Sequence, residues 1–460
     1  MITNREMGTG AQLVAGYAAG DFTPLDVTRV SIRAAEADQL NAIASIDAEK
    51  ALAAAEESTR RYQHGEQLGP LDGVPITFKD SFHITGLPRW HGTAVNPGAS
   101  SVMDAAPVRR AREAGMIVVA KTTMPDFAML MAGQSSRHGV IRNAWDSNLS
   151  PGGSSSGAPG SVVTGVAPIA VGTDMIGSVR LPAALSGLAS IKPTQGRIAY
   201  DPAGDYRSAG PMARTVEDLE QALAVLGQHD PVDLFALPGR FQPVPPPEHL
   251  RGRKIGVLRS VGWGTAVDEP TDRAVRTQAD VLADLGAQVT EIPELPVTDD
   301  DYETVYWFMI YHGLPDYLGA EPARRGAVHP VVGAMLEEAF GHSAVRAALD
   351  ARRMAAAIER VRTVFAPFDH VLSPALPIRS FPADQASPDP LHPVGHMGFA
   401  CWPNRLGTPA GTVPVAPGPG GPPVSVQVTG RRFDDAGVLG VLRRLEDARG
   451  FDVGYPPVPE

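Results

Sequence analysis

Residues 143–194 read NAWDSNLSPGGSSSGAPGSVVTGVAPIAVGTDMIGSVRLPAALSGLASIKPT. Gly, Ser, Pro and Ala dominate, and only Asp146, Asp174, Arg180 and Lys192 carry charge. A solvated Gly/Ser linker has no use for the apolar pieces Ile169-Ala170-Val171 and Leu188-Ala189-Ser190-Ile191. Such pieces fit short strands buried on both faces, with the small residues between them letting backbones approach closely. The stretch therefore predicts the centre of a core.

Working outward, Val74-Pro75-Ile76-Thr77-Phe78-Lys79 predicts a strand entered from the turn Leu71-Asp72-Gly73, which places Lys79 at its end. Asp104 to Glu113 predicts a helix, and Gly115 then admits the β-branched run Ile117-Val118-Val119 before Lys121. Nearer the start, Thr23-Pro24-Leu25-Asp26 predicts an N-cap, a first-turn proline and a first-turn acid for a helix reaching Ala37. A second helix is expected from Asp47 to Arg61.

Downstream, the Pro-rich stretch Leu237 to Pro247 predicts a subdomain boundary. It is followed by a strand at Lys254–Leu258, a helix at Glu269–Leu285, a strand at Gln288–Ile292, and largely helical segments at Asp301–Leu318 and Gly333–Phe365. Late strands at His370–Ser373 and Val424–Val428 precede a closing helix at Asp435–Ala448. Strands thus come from both halves of the chain, which predicts an α/β fold with one mixed central sheet flanked by helices on both faces. The expected organisation is a single domain over 1–460, with residues 228–370 as a variable middle segment capping a substrate pocket.

Composition narrows the chemistry. Across 460 residues, 51 acids against 40 bases give a net charge of -11, so the basic footprint of a nucleic-acid binder is missing. The single cysteine, Cys401, excludes an internal disulfide and any multi-thiolate metal site, and fits a reducing cytoplasm. The opening residues lack a basic region followed by an apolar one, and no run of about 18 apolar residues occurs, so neither export nor a membrane partner is expected. Twelve histidines fall in no metal-ligand spacing, and Gly152-Gly153-Ser154-Ser155-Ser156-Gly157 lacks the Lys-Ser/Thr pair of a phosphate-binding loop. No metal and no cofactor is expected. Lysine is rare: only Lys50, Lys79, Lys121, Lys192 and Lys254 stand beside 35 arginines.

Gly153-Ser154-Ser155-Ser156-Gly157 also satisfies G-x-S-x-G, the nucleophile elbow of α/β-hydrolases. An elbow needs an apolar strand directly before it, and Trp145 to Pro151 does not supply one. What remains is an ensemble of blocks: GVPITFKD around Lys79, SPGGSSSG around Ser154, GTDMIGSVRLPAA around Ser178, SIKPT at Ser190–Thr194 and GPMARTVEDL at Gly210–Leu219. In this order and spacing the chain resembles the amidase signature family over nearly its whole length except residues 227–369.

The resemblance implies a Ser/cis-Ser/Lys triad, with Ser178 as nucleophile, Ser154 as the bridging serine behind a cis peptide bond, and Lys79 as base. A lysine accepts a proton only when neutral, so burial without a paired carboxylate must bring its pKa down, and Asp80 must point elsewhere. Strand alternation offers that separation. The implied oxyanion donors are the backbone N–H groups of Met175, Ile176, Gly177 and Ser178. Met175-Ile176 replace the usual Thr-Gly, and Ile176 would resist a positive φ that glycine could adopt. Asp174 and Arg180 are expected to form a buried ion pair holding this loop, and Lys121 and Lys192 to be structural.

Two apolar sets are candidates for the pocket. One is Phe127, Met129 and Met131, with Met124 before them; the other is Tyr306 and Trp307, with Tyr302, Phe308 and Tyr311 around them. Walls of this kind point to a small neutral, apolar or aromatic partner molecule, which with the resemblance implies an amide, anilide or carbamate cleaved through an acyl-enzyme by a urethanase or aryl acylamidase type of activity. The alternative is the glutaminase subunit of a tRNA-dependent amidotransferase. Against it stands a middle segment without obvious groups for the two charges of glutamine. A non-catalytic scaffold would be expected to have lost Lys79, Ser154 or Ser178. A homodimer is compatible with the sequence.

Overall fold

A computed structural model describes residues 7–204, 206–390, 392–418 and 420–456. Its strands are β1 (Ile43–Ile46), β2 (Pro75–Lys79), β3 (Ile117–Thr122), β4 (Gln134–Ser135), β5 (Gly139–Val140), β6 (Ile169–Asp174), β7 (Ala189–Lys192), β8 (Ser208–Ala213), β9 (Lys254–Leu258), β10 (Gln288–Ile292), β11 (His370–Pro374), β12 (Ala410–Ala416) and β13 (Val424–Gly430). Eleven of them form one sheet in the order β1-β3-β2-β6-β8-β7-β12-β13-β11-β9-β10, and β4 and β5 form a separate hairpin. The sheet is mixed. β3, β2 and β6 run parallel, as do β11, β9 and β10, while β8, β7, β12 and β13 pair antiparallel.

The two halves of the chain meet at β7 and β12, where Ile191 faces Gly411 and Ser190 faces Thr412. The Ser190 and Thr412 hydroxyls lie 2.7 Å apart across that pair. Both faces of the sheet are covered, which is why its strands read as continuous apolar runs. Ile76, Phe78, Ile169, Val171, Val426 and Val428 belong to a large core shared with helices Ala106–Glu113, Val216–Leu226, Glu269–Asp284 and Asp435–Ala448. On the other face Ala170 packs with Ala158, Val162, Val179 and Ala183 of the segments around helices Gly157–Val163 and Arg180–Leu185. A further core gathers helices Asp299–Gly319, Pro330–Phe340 and Ala344–Phe365 around Trp402 and Cys401.

Local signals in the sequence account for most element ends. Thr23 caps the helix Pro24–Glu36 reciprocally with Asp26, and Asp47 caps Ala48–His64. The stretch expected to be helical over 333–365 is two helices, Pro330–Phe340 and Ala344–Phe365, because Ser343 caps the second by accepting from the Arg346 N–H. The middle of the chain divides in function. β9 and β10 extend the sheet, whereas Asp299–Gly319 reaches the crevice at the ends of β2 and β6.

Candidate active site

β2 and β6 are parallel neighbours, and their C-terminal ends open onto one crevice, the usual place for a site in an α/β sheet. Lys79 ends β2, fully buried, and its Nζ donates to Ser154 Oγ at 2.8 Å and to Thr173 Oγ1 at 2.9 Å. Burial lowers its pKa to about 7, against a smaller upward pull from Asp174. Among the described residues no carboxylate pairs with it. Asp80, the next residue, accepts instead from Lys121 Nζ at 2.8 Å and from the Gly92 N–H at 3.1 Å. Lys121 thus has the structural role expected of it, and donates also to the Pro88 carbonyl at 2.7 Å.

Ser154 follows a cis peptide bond from Gly153. A Cβ on Gly153 would stand 2.7–2.8 Å from the backbone of Leu130 and Ala132, so only glycine fits. Ser155 is tied to β6 instead, its Oγ 3.3 Å from both the N–H and the carbonyl of Thr173. Ser178 is 4% exposed, and its Oγ lies 3.6 Å from Met131 Sδ. Ser154, Thr173 and Ser178 all line one cleft.

The loop between β6 and Ser178 is organised by a buried ion pair, as the sequence suggests. Arg180 Nε and Nη2 donate to Asp174 at 3.0 and 2.9 Å. The same guanidinium reaches Gln427 Oε1 at 2.7 Å, the Ala400 carbonyl at 2.8 Å and Asn404 Oδ1 at 2.6 Å. Burial would raise the Asp174 carboxyl, but the charge and hydrogen bonds of Arg180 bring it down to about 2. Asp174 also accepts from the N–H groups of Gly177 (2.8 Å) and Val179 (3.2 Å).

That geometry corrects one expected donor. The Gly177 N–H is directed at Asp174 and Gly177 does not line the cleft, whereas Met175, Ile176 and Ser178 do. Gly177 alone of this run has a positive φ, +121°, so Ile176 sits where no glycine is needed.

The pocket candidates divide. Phe127 lines the cleft, and Met131 touches Ser178. Met129 lies behind the wall, where its Sδ would be 2.5 Å from a Cβ on Gly313. Tyr306 and Trp307 are corrected. Trp307 is on the opposite face of helix Asp299–Gly319 from the cleft and packs on His342 with centroids 4.1 Å apart. Tyr306 lies farther along the helix and lines an outer groove with Tyr302 and Trp263. The helix reaches the cleft through Met309, His312, Gly313 and Asp316, spaced within three or four residues of one another along one face.

Two charged residues that the sequence reading missed also line the cleft: Arg207 and Asp316. Asp316 Oδ2 lies 3.0 Å from His91 Nδ1, without the alignment of a hydrogen bond. Burial pushes the Asp316 carboxyl up, but its contact with His91 and the charges of Arg89 and Arg207 bring it down to about 2. Burial lowers His91 to about 4, leaving it neutral at pH 7. Free space in the cleft is about 50 Å³, well short of the roughly 300 Å³ at the low end of ligand pockets.

The family model described as Amidase matches residues 26–439. A glutamyl-tRNA(Gln) amidotransferase subunit of Chloroflexus aurantiacus is 33% identical over 94% of this chain and 94% of its own length. Among solved structures, a complex bearing on the origin of an s-triazine catabolic enzyme, with inhibitor bound, superposes with a TM-score of 0.86 at 25% identity, over 96% of this chain and 98% of that one. A bacterial aryl acylamidase superposes with a TM-score of 0.88 at 22% identity, over 96% of each chain, and so shares the fold.

Proposed function

The chain belongs to the amidase signature family, and on that premise we propose that it hydrolyses the carbon–nitrogen bond of a small amide through an acyl-enzyme on Ser178. Ser178 Oγ attacks the carbonyl carbon while its proton passes to Ser154 and the Ser154 proton passes to neutral Lys79. The Lys79 to Ser154 hydrogen bond at 2.8 Å carries this assignment. N–H groups of Met175, Ile176 and Ser178 face the developing oxyanion. Collapse of the tetrahedral intermediate expels the amine, which takes the proton back along the same path. Water then attacks the acyl-enzyme by the same route in reverse.

The substrate class that the cleft supports best is a small amide bearing both charges, with glutamine as the type case. Arg207 supplies a partner for a carboxylate and Asp316 one for an ammonium, which offsets the cost of stripping water from a zwitterion. The likeness to the glutamyl-tRNA(Gln) amidotransferase protein points the same way, and on this reading the released ammonia passes to a partner protein. The expected preference for neutral amides presupposes a pocket without such a charge pair. Phe127, Ile176 and Met309 on the walls support an aryl amide as the second reading.

A direct comparison of kcat/KM for glutamine and a neutral anilide decides between them. Ser178→Ala should abolish both activities. Arg207→Ala and Asp316→Asn should each raise KM for glutamine about tenfold or more while leaving the anilide unchanged. A wild-type preference for the anilide would reject the zwitterion and leave the aryl amide.

A further inference from the structure

Arg405 sits on the short helix Cys401–Leu406 and is 3% exposed, yet none of its three guanidinium nitrogens has a hydrogen-bond partner. A buried cation without a counter-ion is costly and calls for a reason. Its guanidinium carbon lies 4.5 Å from the ring centroids of both Tyr206 and Phe308, and those rings meet edge to face at 5.2 Å. Two aromatic rings thus hold the charge in place of a carboxylate. We propose that Arg405 is a positioning residue for substrate binding: by clasping Tyr206 it fixes the adjacent Arg207 in the catalytic cleft, and so sets the affinity for a substrate carboxylate. This role rests on the zwitterionic substrate proposed above.

The backbone at Tyr206 is the second observation. Its φ is +61°, a left-handed conformation that a bulky side chain adopts only where its surroundings hold it there. Helix Cys401–Leu406 supplies that hold twice: Arg405 grips the ring, and its neighbour Asn404 donates from Nδ2 to the Tyr206 carbonyl at 3.2 Å. That carbonyl belongs to the peptide joining Tyr206 to Arg207. On the other side, Ser208 opens β8 and pairs with Asp174. Arg207 is therefore held at both flanks. Its own guanidinium carbon lies 5.2 Å from the centre of the Tyr200 ring, and no carboxylate among the described residues pairs with it. Its charge is left for a ligand in the cleft.

Phe308 gives the clasp its second jaw. It lies on helix Asp299–Gly319, about two turns before Asp316. Arg405 thus ties the segment carrying Arg207 to the helix carrying Asp316, the two groups that would meet the two ends of a zwitterion. A methionine in its place would fill much of the same space but offer the rings no charge.

The test is steady-state kinetics on glutamine and on a neutral anilide. Arg405→Met should raise KM for glutamine about threefold or more, with kcat within about twofold of wild type, and leave KM for the anilide unchanged. Tyr206→Gly, which tolerates the left-handed backbone but removes the ring, should do the same, whereas Tyr206→Phe keeps the ring and should match wild type. In an Arg207→Ala background neither Arg405→Met nor Tyr206→Gly should add to the loss. If Arg405→Met does not fold, Tyr206→Gly decides. The positioning role is overturned if either folded variant keeps the wild-type KM for glutamine, if KM for the anilide rises alongside, or if the effects persist in full without Arg207. A wild type that does not turn over glutamine, or Arg207→Ala without effect on its KM, would instead reject the zwitterionic substrate itself, and this role with it.

Discussion

Lys79 has to be neutral in its working state, and its surroundings are arranged for that: full burial, two hydroxyl partners and no carboxylate in contact among the described residues. With its pKa lowered to about 7, the proton is held below that pH and released above it. Activity should thus rise with pH through about 7 and level off on the alkaline side, falling about tenfold for each pH unit below that point. A kcat/KM profile flat from pH 5 to 8 would remove Lys79 as the base. Lys79→Arg should be as inactive as Lys79→Met, since a guanidinium keeps its proton. Arg180→Met should cost about 3–5 kcal/mol in urea denaturation, because it strands the Asp174 carboxylate in the core. The triad candidates and the Asp174–Arg180 pair are legible in the sequence because they sit in short blocks with distinctive neighbours. Arg207 and Asp316 are not, since each looks like any surface charge until folding brings residues 109 positions apart to one cleft. Thr173, the second partner of Lys79, is hidden for a similar reason, although its place in a strand next to β2 points to it once the sheet order is known.

Helix Asp299–Gly319 shows what periodicity can and cannot reveal at the level of an element. Its helical character and aromatic content are plain in the sequence, but where along its axis the helix crosses the site is not, and Tyr306 and Trp307 fall outside the pocket for that reason. Ten residues separate Tyr306 from Asp316, about 15 Å at 1.5 Å per residue, so one end can pack on Trp263 while the other walls the cleft. β8 goes unread for a different reason: SAGPMA has neither alternation nor β-branched residues, and its pairing with β6 and β7 makes it a strand. Gly313 brings the backbone of the helix close against Met129. Gly313→Val should therefore push Met129 aside, destabilise the fold by about 1–3 kcal/mol and lower kcat/KM about tenfold or more by occupying a cleft with little free space. Gly313→Val with wild-type kinetics would show that this part of the helix does not bound the substrate.

At the scale of the whole molecule, the β7–β12 pairing makes one sheet from two halves of chain, so thermal unfolding should be a single calorimetric transition, and residues 1–227 expressed alone should not fold. Two separate transitions would instead indicate independent halves. That strands recur in both halves is readable from the sequence; that Ser190 pairs with Thr412, more than two hundred positions away, is not, because register across such a distance depends on the whole sheet. The grip of Arg180 on Gln427 and Asn404 has a consequence in time. Lys79, Ser154 and Ser178 leave the ribosome well before Gln427, so the clamp on the loop before Ser178 closes only once β13 has been made. Until then a growing chain carries all three side chains without the support that positions them, so a message cut short before residue 424 should yield a product without hydrolase activity.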